Sequence, residues 1–157
     1  MTNVIDKSAQ TTYPIHDLLA NRWSPRAFAD KPIAPEVIGS LLEAARWSAS
    51  SNNKQPWAFI IATRDNSEAF EKMLSVIKEG NQTWAKNAPL LMLTVIPDER
   101  DIDLHDLGLA VQSLTIEALS RDLYVHQMGG IFPREAEKLY NVPDGYKVIT
   151  GLAIGYL

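Results

Sequence analysis

Residues 104–120 constrain this chain more than any other segment. Leu107, Leu109, Ala110, Val111, Leu114, Ile116, Ala118 and Leu119 fall nearly all round a helical wheel. A helix that is apolar on almost every side has to be covered on most of them. A chain of 157 residues normally makes one domain and has few elements available for that cover. A second subunit against this helix is therefore an expectation.

The other elements are set by periodicity and punctuation. The run 90–96 is continuously apolar between Pro89 and Pro97, the pattern of a strand buried on both faces and central in its sheet. Val37, Ile38, Leu41, Leu42 and Ala45 repeat at helical spacing behind Pro35, which suits the first turn of a helix. Short helices are expected at 14–20 and behind Pro133, and a longer one at 67–78 ended by Gly80. Strands are expected at 57–63 and 147–156. The sum is an α+β order with more helix than strand. Residues 1–12 carry little to bury and read as a frayed leader or an arm lying on a partner, leaving 13–157 as a single domain.

Composition excludes several classes of function. The sequence has no cysteine, so disulfides, thiolate metal sites and cysteine nucleophiles are ruled out. The apolar runs fall far short of the ~20 residues of a membrane span, and the first 12 residues have no hydrophobic signal core; a cytoplasmic protein is the default expectation. With 15 Lys plus Arg against 19 Asp plus Glu, a net charge of −4, a general nucleic-acid binder is not expected, since that role needs a basic face. His16, His105 and His126 are scattered without metal-ligand spacing. Ser24 and Ser50 lack the G-x-S-x-G elbow of a hydrolase nucleophile.

Three clusters could carry chemistry. In the first, Arg22, Ser24 and Arg26 alternate in a loop after a helix; alternate residues of an extended segment point the same way, and forked guanidiniums bind phosphate or carboxylate. Pairing of both arginines with Asp17, Asp30 or Glu36 is the competing reading. In the second, Ser50-Ser51-Asn52-Asn53-Lys54-Gln55 offers a dense set of donors and acceptors that suits the polar edge of a heterocycle. The competing reading there is an ordinary helix-to-strand loop with capping side chains. In the third, Gly129-Gly130 follows a strand and lets backbone approach a ligand or simply makes a turn. Asp101, Asp103 and Asp106 read as capping a helix or favouring its positive end rather than binding calcium.

In order and spacing these pieces resemble the nitroreductase family. The resemblance is carried by Arg22-x-Ser24-x-Arg26-x-Phe28, then Ala49-Ser50-Ser51-Asn52-Asn53-Lys54-Gln55-Pro56-Trp57-x-Phe59, and then Gly80-Asn81-x-x-Trp84 ahead of Ala88-Pro89. Asp106-x-Gly108-x-Ala110-x-Gln112-x-Leu114 and the closing Gly155-Tyr156 complete it. The match runs from about residue 14 to the last residue.

The resemblance implies an α+β homodimer with a mixed sheet flanked by helices and two FMN sites at the subunit interface. It implies cofactor-binding roles for Arg22, Trp23, Ser24 and Arg26, at the FMN phosphate and the N1/O2 edge of the ring. Ser50, Ser51 and Asn53 would reach the flavin of the other subunit, and Gln55 would also bind cofactor; Asn81 would face the ring, and backbone N–H groups near Gly129 and Gly130 would meet its N5 and O4 atoms. Arg26 would stabilise the reduced flavin. The implied activity is hydride transfer from NADH or NADPH through flavin to nitroaromatics, quinones or related acceptors, with no side-chain nucleophile and no metal. No Gly-x-Gly-x-x-Gly fingerprint is present to bind the nicotinamide cofactor in a Rossmann manner.

Three departures from the family pattern stand out. Ala49 replaces a common proline, Ser120-Arg121-Asp122 replaces a small residue and glycine, and the chain stops at Leu157 where relatives generally add basic residues and an arm. The last departure makes a flavin-binding protein without efficient turnover the alternative expectation. A module without flavin, using the arginine loop to contact a partner protein, is a third.

Overall fold

The computed structural model describes residues 6–157; of the expected leader, residues 1–5 lie outside the described part. In chain order the elements are α1 (Asp17–Ala20), α2 (Pro35–Arg46), a 3-10 turn (Ser51–Asn53), β1 (Ala58–Thr63), α3 (Ser67–Leu74) and α4 (Glu79–Ala85). They are followed by β2 (Leu90–Pro97), α5 (Ile102–Leu119), β3 (Tyr124–Met128), α6 (Pro133–Leu139) and β4 (Tyr146–Gly155). Four strands form one sheet in the order β1-β2-β4-β3.

The continuous apolar run of β2 is explained by helices on both faces of the sheet. Leu91, Leu93 and Val95 pack with Phe70, Met73 and Ile77 on one face, while Leu90 and Met92 pack with Leu41, Leu107 and Leu114 on the other. The side-chain period of two divides a uniformly apolar strand between two cores. Its polar member, Thr94, is fully buried where the register on β4 slips between Leu93 and Val95. There its hydroxyl oxygen accepts from the Thr150 N–H at 3.0 Å, which satisfies an otherwise costly polar group.

The expected mixed sheet is antiparallel throughout the described residues, in all three pairings. β2 and β3 do run parallel to each other, joined by the α5 crossover, but β4 lies antiparallel between them. A parallel strand–helix–strand unit exists here without a parallel ladder.

The expected helix 67–78 is shorter than its pattern, and a separate helix follows it. α3 ends at Leu74, and Gly80 lies in the first turn of α4 rather than terminating anything. Val76 and Ile77 are buried and are drawn into strand-like pairing: Ile77 bridges Ile131, the Phe132 N–H donates to the Val76 carbonyl and the Lys78 N–H to the Gly130 carbonyl. Long-range pairing of two β-branched residues overrides the local helical pattern. The first helix starts at Asp17, later than Pro14, because the His16 side chain caps it by accepting from the Leu18 N–H.

Helix α5 is buried along Leu107, Ala110, Val111, Leu114, Ala118 and Leu119, with α2 packed on it. Ile102, Leu104 and Leu109 remain 38–44% exposed. This chain therefore covers most but not all of its most apolar helix.

Candidate functional site

In the loop after α1, exposure alternates: Arg22, Ser24 and Arg26 are exposed, Trp23 is half-buried and Pro25 is buried. The buried members anchor the loop to β3. The Trp23 ring lies edge-on to Tyr124 with centroids 6.0 Å apart, and the His126 Nδ1 lies 2.8 Å from the Pro25 carbonyl, to which it donates because a carbonyl only accepts. Neither arginine has an ion-pair partner among the described residues; Asp30, one of the acids considered for them, pairs with Arg64 instead.

Arg26 stands over the Trp84 ring, 5.9 Å from its centroid, and Trp84 stacks on His126 at 4.3 Å. The Trp84 indole N–H is buried without a hydrogen-bond partner among the described residues, an uncommon state for a buried donor. The neighbouring α4 brings Asn81 against the turn after β3, where its Nδ2 donates to the Gly130 carbonyl at 3.3 Å. A Cβ on residue 130 would run into the Asn81 amide, so any larger residue there would push that side chain aside. The arginine loop, Asn81 and Gly129-Gly130 are thus assembled around β3 and α4.

The loop 50–55 belongs to the other edge of the sheet. It follows α2, precedes β1 and is fastened to α5. The Ser48 hydroxyl donates to the Leu109 carbonyl at 3.2 Å and pairs with Ser113 at 2.7 Å, and the Ser51 N–H donates to Asp106 Oδ2 at 2.9 Å. Within the loop, the Gln55 N–H donates to Ser50 Oγ at 3.0 Å and the Gln55 amide donates to the Asn53 carbonyl at 3.2 Å. Asn53 is exposed, while Ser50, Ser51 and Gln55 are half-buried. With strands spaced ~4.8 Å apart, the two edges of a four-stranded sheet are roughly 14 Å apart. The candidate residues consequently form two groups, which one chain holds on opposite edges.

A cavity of about 320 Å³ adjoins the second group, with Gln55, Trp57, Pro97, Arg100 and Tyr146 in its walls. Arg100 is fixed there by an ion pair with Asp103, which is 1% exposed.

The three acids therefore do less for α5 itself than their position at its start suggests. No side chain caps that helix at Asp101; Asp103 sits in its first turn holding Arg100, and Asp106 reaches across to the loop. The Ser51 N–H, together with His105 Nδ1 at 3.3 Å, holds the Asp106 carboxyl below the usual carboxylate range. Sequence reasoning also missed His126: nothing in its spacing reveals a contact with a residue 101 positions away.

The nitroreductase family model matches residues 19–156. The chain belongs to the nitroreductase family. Among solved structures, an oxidoreductase containing FMN is 37% identical with a TM-score of 0.90, covering 100% of this chain and 83% of that one. A protein of Archaeoglobus fulgidus, provisionally named NADH dehydrogenase/NAD(P)H nitroreductase, is 27% identical over 88% of this chain and 83% of its own length. An uncharacterised 15.4 kDa protein of Mycolicibacterium smegmatis is 35% identical over 57% of this chain, and the match spans 63% of that relative, less than two thirds. This nitroreductase-family chain is thus an α+β oxidoreductase by membership. None of its described helices is long and apolar enough to cross a membrane.

Proposed function

We propose that the protein is a homodimeric FMN-dependent NAD(P)H oxidoreductase with two flavin sites at the subunit interface. The observation that carries this reading is the row of exposed Arg22, Ser24 and Arg26, its arginines without an ion-pair partner among the described residues, beside Asn81 and Gly129-Gly130, with a second polar loop on the opposite sheet edge. The separation of the two groups favours a site in which one subunit gives the first group and its partner the second. The solved relative containing FMN and the exposed apolar residues of α5 support the same arrangement.

The residues present fit FMN. Two guanidiniums and a hydroxyl on one side of a loop suit a phosphate and the N1/O2 edge of the ring. The Trp84 N–H beside Arg26, without a partner among the described residues, leaves a donor for an acceptor, and the bare backbone at Gly129, open where a Cβ would stand, admits the approach of a flat ring. When bound, FMN supplies a two-electron carrier that takes hydride from NADH or NADPH and passes the electron pair to a nitroaromatic, quinone or related acceptor.

The chain's own part is binding and electrostatics. Arg26 holds a fixed positive charge at the edge where negative charge gathers on reduction, and a preorganised charge there favours the reduced state. Asn81, tied to Gly130, orients the turn that would meet the N5 and O4 side of a bound flavin. Ser50, Ser51, Asn53 and Gln55 present donors and acceptors to the partner's ring. The cavity walled by Trp57, Pro97, Arg100 and Tyr146, with Lys54, Glu99 and Asp103 also in its lining, offers a recess of mixed polarity beside that loop for an acceptor.

The test is anaerobic reduction. Protein saturated with FMN and freed of excess is expected to lose its flavin absorbance when NADH or NADPH is added, and to regain it with a nitroaromatic or quinone. Bound flavin that neither nucleotide bleaches would mean a flavin-binding protein without turnover, and a protein that retains no flavin would overturn the assignment.

A further inference from the structure

Five non-glycine residues have left-handed backbone among the described residues, and three of them, Asn52 at φ 53°, Asn53 at φ 53° and Gln55 at φ 49°, crowd into the loop 50–55. Asparagine tolerates this region, whereas an ordinary side chain such as glutamine is strained there. Such a conformation persists only where surrounding contacts over-determine it. The bonds from Gln55 to Ser50 and Asn53 hold the loop only to itself. Ser48, just ahead of the loop, is joined to α5 through Leu109 and Ser113; among the described residues the hydrogen bond that ties the loop's own residues to the rest of the fold is the Ser51 N–H on Asp106, a residue 55 positions away and 2% exposed on α5.

We propose that Asp106 is a positioning residue: its carboxylate sets the shape of the loop 50–55 and thereby that loop's capacity to hold the flavin of the partner subunit. The inference rests on the functional reading above. Asp106 is buried behind the loop, with its second oxygen turned to His105. Its action is through the Ser51 backbone, which fixes where the left-handed turn begins and hence where Asn53 and Gln55 stand. The placement on α5 ties the loop to the helix that bears the exposed apolar residues Leu104 and Leu109. The same rigid element then serves both subunit contact and loop geometry.

The experiment uses Asp106→Leu, which removes the acceptor while keeping the branched shape of the side chain, and Asp106→Asn, which keeps an oxygen acceptor without the charge. Two quantities are read: hydrogen exchange of the Ser51 amide in protein without flavin, and the dissociation constant for FMN. In Asp106→Leu the Ser51 amide is expected to exchange faster while α5 core amides stay protected, and FMN binding to weaken by about tenfold. Asp106→Asn is expected to rescue most of both, with about a threefold loss of affinity. A merely structural role for Asp106 would instead move the α5 amides together with Ser51.

A folded Asp106→Leu protein that binds FMN like the wild type overturns the proposal, and so does a wild-type Ser51 amide that exchanges as fast as a free one. Should Asp106→Leu not fold, Asp106→Ala, which also removes the acceptor, takes its place, and a folded Asp106→Ala protein that binds FMN like the wild type overturns the proposal. Wild-type protein that holds no FMN overturns the functional reading instead, and Ser51 exchange still separates a tethered loop from a free one.

Discussion

Arg22, Ser24 and Arg26 owe their common exposure to the residues between them. Trp23 on Tyr124 and the Pro25 carbonyl on His126 turn one side of an extended segment inward, and the other side must then face out. The alternation is legible in the sequence; the anchors are not, because Tyr124 and His126 come from a strand about a hundred residues later. Charge-assisted hydrogen bonds contribute ~1.5–3 kcal/mol each, so Arg22→Ala and Arg26→Ala are each expected to weaken FMN binding by roughly ten- to a hundredfold, measured by fluorescence titration. Unchanged affinity in both would contradict the site assignment. Asp106 yields a pH dependence. Its carboxyl is held low by the Ser51 N–H and His105, so its stabilising effect is complete above the unfolded aspartate value of about 3.9 and is lost as pH falls through the lower folded value. Acid unfolding of Asp106→Asn is expected to be less steep than that of the wild type over this range, in circular dichroism against pH, and identical curves would contradict the tether.

At the scale of elements, sequence patterning located nearly every helix and strand because most owe their existence to a local period: α2 behind Pro35, β2 between two prolines, α6 behind Pro133. The failures arise where a distant partner decides. Val76 and Ile77 leave the helical course to pair with the segment around Ile131 that follows β3, and that break lets α4 start where it brings Asn81 to Gly130. The loop 50–55 is another such case, since its polar composition is plain in the sequence but its anchor on α5 is not. The contact between α4 and the turn after β3 gives a prediction of its own. Gly130→Ala is expected to displace the Asn81 amide and lower FMN affinity several-fold, by about the worth of one hydrogen bond, while Asn81→Ala added to it costs little more. Independent, additive losses in affinity titrations would separate the two residues. In the core, Leu114→Ala should destabilise by about 2–5 kcal/mol, read by denaturant unfolding, because Leu114 is fully buried beneath α2 and the sheet.

For the whole molecule, the central matter is what covers α5. Its nearly all-round apolar sequence raised the expectation of a partner, and the fold leaves Ile102, Leu104 and Leu109 partly exposed after α2 and the sheet have taken their share. Charged substitutions at such positions break an apolar interface, so Leu104→Glu with Leu109→Glu is expected to raise the dimer dissociation constant by at least about tenfold, followed by light scattering across a dilution series. Since each proposed site draws on two subunits, the same double variant should lose FMN although Arg22, Arg26 and the loop 50–55 are untouched. The most direct measurement is the visible absorbance of the purified protein after saturation with FMN and desalting, with its mass taken from the same sample. One flavin per chain, carried by a dimer, is the expected result. A monomer that holds flavin, or a dimer that holds none, would contradict a site shared between two subunits.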